Sequence, residues 1–528
     1  MSSPPVPFWR RTLAVLHPSH RHSPFSATIL LMASVMLSRV LGLVRVKYIA
    51  WLLGRSAAAD AFNAAFQLPD MVAYFLVGGA ASITFVTMLT RYRESGREAE
   101  GEHAMSVILT TMALVLGGAI LLAEFAAPQY IHWWFNGFPP VKAALCVHLT
   151  RILLPIQLCF FAGGVFGAVL LAHKVFSAQA IAPLIYNLGT IFGGVLLAHA
   201  FGVSSLAIGT VAGAICGPFL LNAIGAHRVG MRYRPILEWS NPGLREWIRM
   251  SVPLMLGVSL VTADNWIINH FASQVGGAIT LLAYAKQLFT APAALGQAAG
   301  AASLPFLASL YAKVDRTPFA RSVNSAVSRI IAFSLLLSAF MIAMALPLVD
   351  VLLRGGAFHR ADSATMAVYF AIFSISLCLW SAQTLYARAF YAAGNTVTPM
   401  VAGTIVTAVS IPVYAVLYRT MGPAGLAIAS DAGILLQTAT LAVLLHRRGM
   451  VSLAGLEYAE IGRAVLAGTL SLAALLAIRH MVHTTSRLWE LGLLSVAALV
   501  WLGISAVALR VTGSSLPGQV MTRFARRA

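Results

Sequence analysis

The sequence predicts an all-α polytopic membrane protein of about fourteen transmembrane helices, and three observations carry that prediction. Hydrophobic residues make up 59% of the 528 positions and charged residues 10%, whereas a soluble chain carries about a quarter of its residues charged. Apolar runs of roughly 20 residues, the length that crosses a bilayer as a helix, recur from one end of the chain to the other. The basic residues behind the net charge of +19 sit mostly in short connections between those runs, where they act as orientation signals. A soluble globular domain is excluded, and nucleic acid is not an expected partner.

Taken in order, residues 1–25 hold Arg10, Arg11 and Arg21 among Pro, Ser and His. The span that follows is too long and too interrupted by arginine for a cleaved signal peptide, so this stretch reads as a retained cytoplasmic tail. Spans are expected at 26–53, 60–90, 104–127, 143–171, 177–200 and 204–226, which make a first lobe over 26–226. A cytoplasmic linker follows at 227–246. Spans at 247–273, 277–311, 322–349, 363–391, 396–418 and 422–445 make a second lobe over 247–446. Two further spans, 459–479 and 488–510, and a tail complete residues 447–528. Arg91, Arg93 and Arg97, the group Arg228, Arg232, Arg234, Arg245 and Arg249, Arg447 with Arg448, and the terminal Arg523, Arg526 and Arg527 all fall on one side if both termini are cytoplasmic. The longest outer connections, 129–142 and 353–362, are too short to form a domain. Trp133, Trp134 and Phe135 in the first of them read as an interfacial aromatic anchor.

A short internal echo supports a two-lobed build. Gly79-Ala80-Ala81-Ser82-Ile83-Thr84-Phe85 recurs as Gly300-Ala301-Ala302-Ser303-Leu304-Pro305-Phe306, in the second and eighth spans. Parallel six-span repeats place a transport site near the membrane midplane between the halves. Prolines in or at the edge of spans, Pro69, Pro155, Pro183, Pro253, Pro292, Pro305 and Pro399, are potential bending points or packing kinks.

Charges at membrane depth are the candidate site. Arg39 and Arg45 lie in the first span, about half-way through it and in the turns beyond. Each costs at least about 2.5 kcal/mol to insert, so both need an interior partner or a watery cavity. Their spacing keeps them on one face of the helix, which makes an anion-binding stripe. Lys286, early in the eighth span, either joins such a cavity or snorkels to the outer interface. Asp264 in the seventh span is a mid-span carboxylate with Lys286 as its obvious partner. Asp60, at the start of the second span, reads either as a helix cap or as a gate residue paired with an arginine. Asp70 and Asp431 are further acids at depth. Cys146, Cys159, Cys216 and Cys378 lie in apolar stretches and suggest neither disulfide nor zinc. Enzyme signatures and metal-ligand clusters are absent from the sequence, so no catalytic residue, metal or cofactor is expected. The one thin candidate for a membrane-surface enzyme is His359 with Asp362.

Several stretches together resemble the MurJ/MviN lipid II flippase family of the MOP exporter superfamily. They are Ser38-Arg39-Val40-Leu41-Gly42-Leu43-Val44-Arg45, Asp60-Ala61-Phe62, Phe66-Gln67-Leu68-Pro69, Gly79 through Tyr92, Tyr284-Ala285-Lys286-Gln287-Leu288, Leu353-Arg354-Gly355-Gly356-Ala357-Phe358, Phe390-Tyr391-Ala392 and Thr398-Pro399. The resemblance implies two six-helix, MATE-like lobes plus two C-terminal helices in the bacterial cytoplasmic membrane. It implies that the chain moves the undecaprenyl-pyrophosphate-linked peptidoglycan precursor, lipid II, to the outer leaflet by alternating access. Arg39, Arg45, Lys286 and Gln287 are then the expected substrate ligands, with Asp60 and Asp264 in gating or ion pairing. Two departures stand out. Ala73 and Gly78 occupy positions where the family has an arginine and a glutamate, and Lys286-Gln287 replaces its Asp-Arg. Another polyprenyl-diphosphate-linked glycan is therefore the alternative cargo, and a membrane enzyme a distant third.

Overall fold

The computed structural model describes residues 24–77, 81–173, 175–482, 486–516 and 518, and the described residues form helices joined by short connections. In chain order they are α1 (Pro24–Leu53), α2 (Ala57–Ala65), α3 (Gln67–Val77), α4 (Ala81–Glu94), α5 (Glu98–Trp134), α6 (Pro140–Leu153), α7 (Ile156–Ala172), α8 (Ser177–Phe201) and α9 (Ser204–Ala214). A π-helical turn, Ile215–Leu221, leads into α10 (Asn222–Arg228). Then come α11 (Pro242–Leu256), α12 (Leu260–Ala272), α13 (Ala278–Tyr311), α14 (Thr317–Ala343), α15 (Ala345–Leu353), α16 (Arg360–Ile375), α17 (Leu377–Ala392), α18 (Val397–Met421), α19 (Pro423–Arg447), α20 (Tyr458–Met481) and α21 (Arg487–Val511). Among the described residues nine helical segments are long and apolar enough to cross a bilayer, and α16 with α17, bent by 42°, makes a tenth if taken as one span. Outward-facing apolar side chains such as Phe125, 77% exposed, and Leu196, 74% exposed, are compatible with hydrocarbon around the helices and not with water.

The chain divides into two compact units. One comprises Met1–Tyr48 and Ala61–Leu256, the other Ile49–Asp60 and Gly257–Ala528. The division passes through α2, whose first turn belongs with the second unit.

In the first unit a core of Phe85, Met105, Ile108, Phe161, Val165 and Trp247 is fully or almost fully buried, with Phe85 stacked on Trp247 at 5.5 Å. α8 and α9 approach so closely that side chains are excluded. A Cβ on Gly189 would lie 2.5 Å from the Gly213 Cα, and one on Gly193 would collide with the Gly209 Cα. The spacing of four on each helix sets small residues against small residues and lets backbones touch, as membrane helix pairs do. Thr190 and Thr210 hydroxyls hydrogen-bond across the same seam at 2.8 Å. His103 Nε2 of α5 and Glu238 Oε2, on the connection after α10, are 2.9 Å apart. That bond, helped by Asn241, holds the Glu238 carboxyl below its usual range.

In the second unit Phe319, Leu385, Phe390, Leu441 and Leu445 form the larger buried cluster. Ala343 and Met344 pack with Leu475, Leu493 and Ala497 of α20 and α21. The seventh expected span is broken at residues 257–259, and the Thr407 hydroxyl donates to the freed Val258 carbonyl at 3.3 Å, as unwound backbone in a membrane requires.

The 129–142 connection is shorter than the sequence suggested, because α5 runs on to Trp134. Trp133 is exposed, but Phe135 is buried and stacks on Phe138 at 5.1 Å, so only part of the aromatic group can serve as a surface anchor. Gly79 and Ala80 of the internal echo, and Gly78, lie outside the described residues.

Candidate functional site

α1 places both arginines in the first unit, and its register on α8 is fixed by side-chain contacts. Ser34 Oγ donates to the Ala180 carbonyl, Asn187 Nδ2 donates to Ser38 Oγ at 3.5 Å, and Tyr48 occupies the space left beside Gly194. Numbers rise together along both helices, so the two run parallel. Helical side chains lean toward the N-terminus. Arg45 therefore reaches back to the ring of Tyr186, with its guanidinium carbon 5.7 Å from the ring centroid. Among the described residues neither Arg39 nor Arg45 has a carboxylate within 4.0 Å, and both are half-buried. Asp70, on α3, is close enough to act electrostatically on Tyr186. Ala73, one turn further along α3, offers no charge. Arg45 also shares a side-chain hydrogen bond with the Tyr186 hydroxyl, and a guanidinium has five N–H donors, so others remain for phosphate or carboxylate oxygens.

The second unit treats its cation differently. Lys286, early in α13, forms an ion pair with the fully buried Asp264 of α12. Asp264 also accepts from the Tyr414 hydroxyl and from Ser430 Oγ at 3.0 Å. Lys286 Nζ lies 5.8 Å from the centre of the Trp380 ring. A fully buried carboxylate needs such compensation, since unpaired it would not remain ionised. Beside the pair, Ser376 Oγ lies 2.5 Å from Asp431 Oδ1. Gln287 follows Lys286 and is half-buried.

Asp60 has a third kind of environment. Its carboxylate accepts from the Gly277 N–H at 2.7 Å, the Thr280 N–H at 3.0 Å and the Thr280 hydroxyl at 2.7 Å, so it caps the N-terminus of α13, a helix remote in sequence. Acceptors at such a terminus satisfy orphan donors and meet the positive end of the helix dipole. Gly277 is required there: its φ is +79°, and a Cβ would press 2.7 Å from Arg55 Nε. The position of Asp60 at the start of its own helix carries no signal for the partner helix, because the contact closes over more than two hundred residues. Arg55 approaches Asp362 at 4.0 Å, and Asp362 accepts from the His359 N–H at 2.9 Å in a capping box that opens α16. The His359 and Asp362 pair is thereby accounted for as a helix start. Among the described residues there is no cluster of three or more His, Cys, Asp or Glu that could hold a metal.

The fold, with nine helical segments long enough to cross a bilayer among the described residues, is similar to that of solved transporters of the MOP superfamily. A solved inward-facing multidrug-resistance MATE transporter of that superfamily superposes with a TM-score of 0.64 at 14% identity, covering 83% of this chain and 98% of its own. A structure of lipid II flippase MurJ in an inward closed conformation gives a TM-score of 0.76 at 21% identity, covering 91% and 99%. The probable lipid II flippase MurJ of Vibrio cholerae serotype O1 is 27% identical over 504 residues, 92% of each chain. The family model for lipid II flippase MurJ matches residues 49–500. The chain belongs to the MurJ lipid II flippase family, a family of transporters and not of enzymes, and it is a multi-span membrane protein. Arg39 and Arg45 precede the matched segment, so their role rests on their own geometry.

Proposed function

We propose that this protein moves lipid II from the inner to the outer leaflet of the bacterial cytoplasmic membrane by alternating access, across about fourteen spans with both termini inside. Arg39 and Arg45 bind the diphosphate. The observation that carries this reading is that two half-buried guanidiniums share α1 with, among the described residues, no acid within 4.0 Å of either. Each is worth about 1.5 to 3 kcal/mol to a phosphate through a charge-assisted bond. Lys286 and Gln287, in the other unit, are proposed as a second group of ligands, with Asp264 as the resting counter-ion that Lys286 leaves before it meets an anion. Asp60 is proposed as a gating residue whose hold on the start of α13 is made and broken during the cycle. Membrane lipids surround the apolar faces, and the reading needs no cofactor.

The test is replacement of a resident lipid II flippase by this chain under depletion. Growth with normal cell shape is expected. Failure of a correctly inserted chain, with transport of another polyprenyl-diphosphate glycan in its place, would move the assignment to the alternative cargo. That second reading draws on Ala73 in α3 and on the pairing of Lys286 with Asp264, which together leave fewer open cations.

A further inference from the structure

Arg45 is held by a ring and not by an acid. A carboxylate would orient the guanidinium equally well, but it would cancel the charge and take up the N–H fork, and an arriving phosphate would have to displace it. An aromatic ring attracts the cation through its quadrupole without cancelling its charge, and the Tyr186 hydroxyl takes one hydrogen bond from Arg45, which leaves the other guanidinium donors available. Tyr186 is built to present such a face. Phe160 packs against its ring at 5.4 Å and 64°. Its neighbour Asn187 is tied by Nδ2 to the Pro183 carbonyl at 2.9 Å. The contacts of Ser34, Ser38 and Tyr48 along α8 fix how far Arg45 can reach.

We infer that Tyr186 is a positioning residue for diphosphate recognition, acting through Arg45 and setting the plane in which its two-pronged edge meets the phosphate oxygens. The inference rests on the reading above that Arg45 binds the diphosphate. It predicts that the ring contributes to discrimination as well as to affinity, because a guanidinium with a fixed plane can engage two phosphate oxygens at once and a loose one acts as a point charge.

The experiment uses the purified full chain in lipid nanodiscs, with undecaprenyl diphosphate and undecaprenyl monophosphate as probes. Y186F keeps the face and loses the hydroxyl that accepts from Arg45, so it is expected to weaken diphosphate binding by less than Y186L does. Y186L and Y186M are expected to weaken diphosphate binding by roughly 2- to 30-fold, the range of a cation–π contact, to narrow the preference over the monophosphate, and to leave thermal unfolding near the parent value. On an R45A background the same changes are expected to add nothing, since a residue acting through another is silent once that other is gone. Additive losses in the double variants, or a loss in Y186F equal to that in Y186L, overturn the positioning role while leaving Arg45 as a ligand. If R45A itself binds the diphosphate as the parent does, both this inference and the assignment of Arg45 fall.

Discussion

At the scale of single residues, the membrane-depth cations differ in what they already face, and that decides how each substitution should read out. Among the described residues Arg39 and Arg45 have no acid within 4.0 Å, so Arg39→Ala and Arg45→Ala should leave insertion intact or eased while removing a phosphate ligand worth a ten- to hundredfold weakening. Complementation by a correctly inserted protein should be lost in each, and normal growth of both variants would remove the site. Lysine at either position should restore only part of the activity, because a point charge lacks the fork that matches a diphosphate. Lys286 is different. Its removal strands the fully buried Asp264, a loss of about 3–5 kcal/mol, so Lys286→Met should lower the unfolding temperature sharply. The double variant Lys286→Met with Asp264→Asn should recover that stability, since neither charge is then unpaired. Transport by the stable double variant separates the roles: full activity would leave Lys286 a structural partner only, and lost activity is expected if it is a substrate ligand.

At the scale of elements, hydropathy marks the chain as all-helical with many apolar segments, because each helix must hide its backbone and present apolar faces, and nine of the helical segments among the described residues are long enough to span. The breaks were less legible because their causes are tertiary. The 42° bend between α16 and α17 falls at Ser376 with no proline there. The Ser376 hydroxyl sits between the Phe373 carbonyl at 3.0 Å and the Asp431 carboxylate at 2.5 Å, and Asp431 is 55 residues away. The α8–α9 seam was legible in principle, since Gly189 with Gly193 and Gly209 with Gly213 are the small-residue spacing of membrane helix pairs, although a reading centred on charges passes over them. Gly193→Leu should separate these helices, because its side chain meets the backbone of Gly209 and no rotamer change can make room. A destabilisation of at least about 1–3 kcal/mol is expected, measured as a fall in unfolding temperature in detergent. Gly117→Leu on α5, where a Cβ meets nothing within 4 Å, is the control that should fold as the parent does. Asp60→Ala removes the acceptor for the Gly277 N–H before α13 and the Thr280 N–H in its first turn and should cost about 0.5–2 kcal/mol, seen as faster amide exchange confined to residues near 277–281. Unchanged exchange there would mean that the cap does not hold the helix start.

At the scale of the whole molecule, the remaining choice is which way the chain faces, and one helix is long enough to decide it. α5 runs for 37 residues from Glu98 to Trp134, about 55 Å at 1.5 Å per residue, which exceeds the roughly 30 Å hydrocarbon core and leaves both ends in water. Ser95, before its start, and Asn136, after its end, are both exposed, so a cysteine at either can be reached from its own side. Arg91, Arg93 and Arg97 cluster at the first end. The second end carries aromatic residues, and Lys142 there is buried. Short loops rich in arginine stay in the cytoplasm because moving them across the membrane during insertion is disfavoured. In intact cells an impermeant maleimide should therefore label Asn136→Cys, and should label Ser95→Cys only after permeabilisation, with the native cysteines replaced beforehand. The converse pattern would put both termini outside and overturn the orientation proposed.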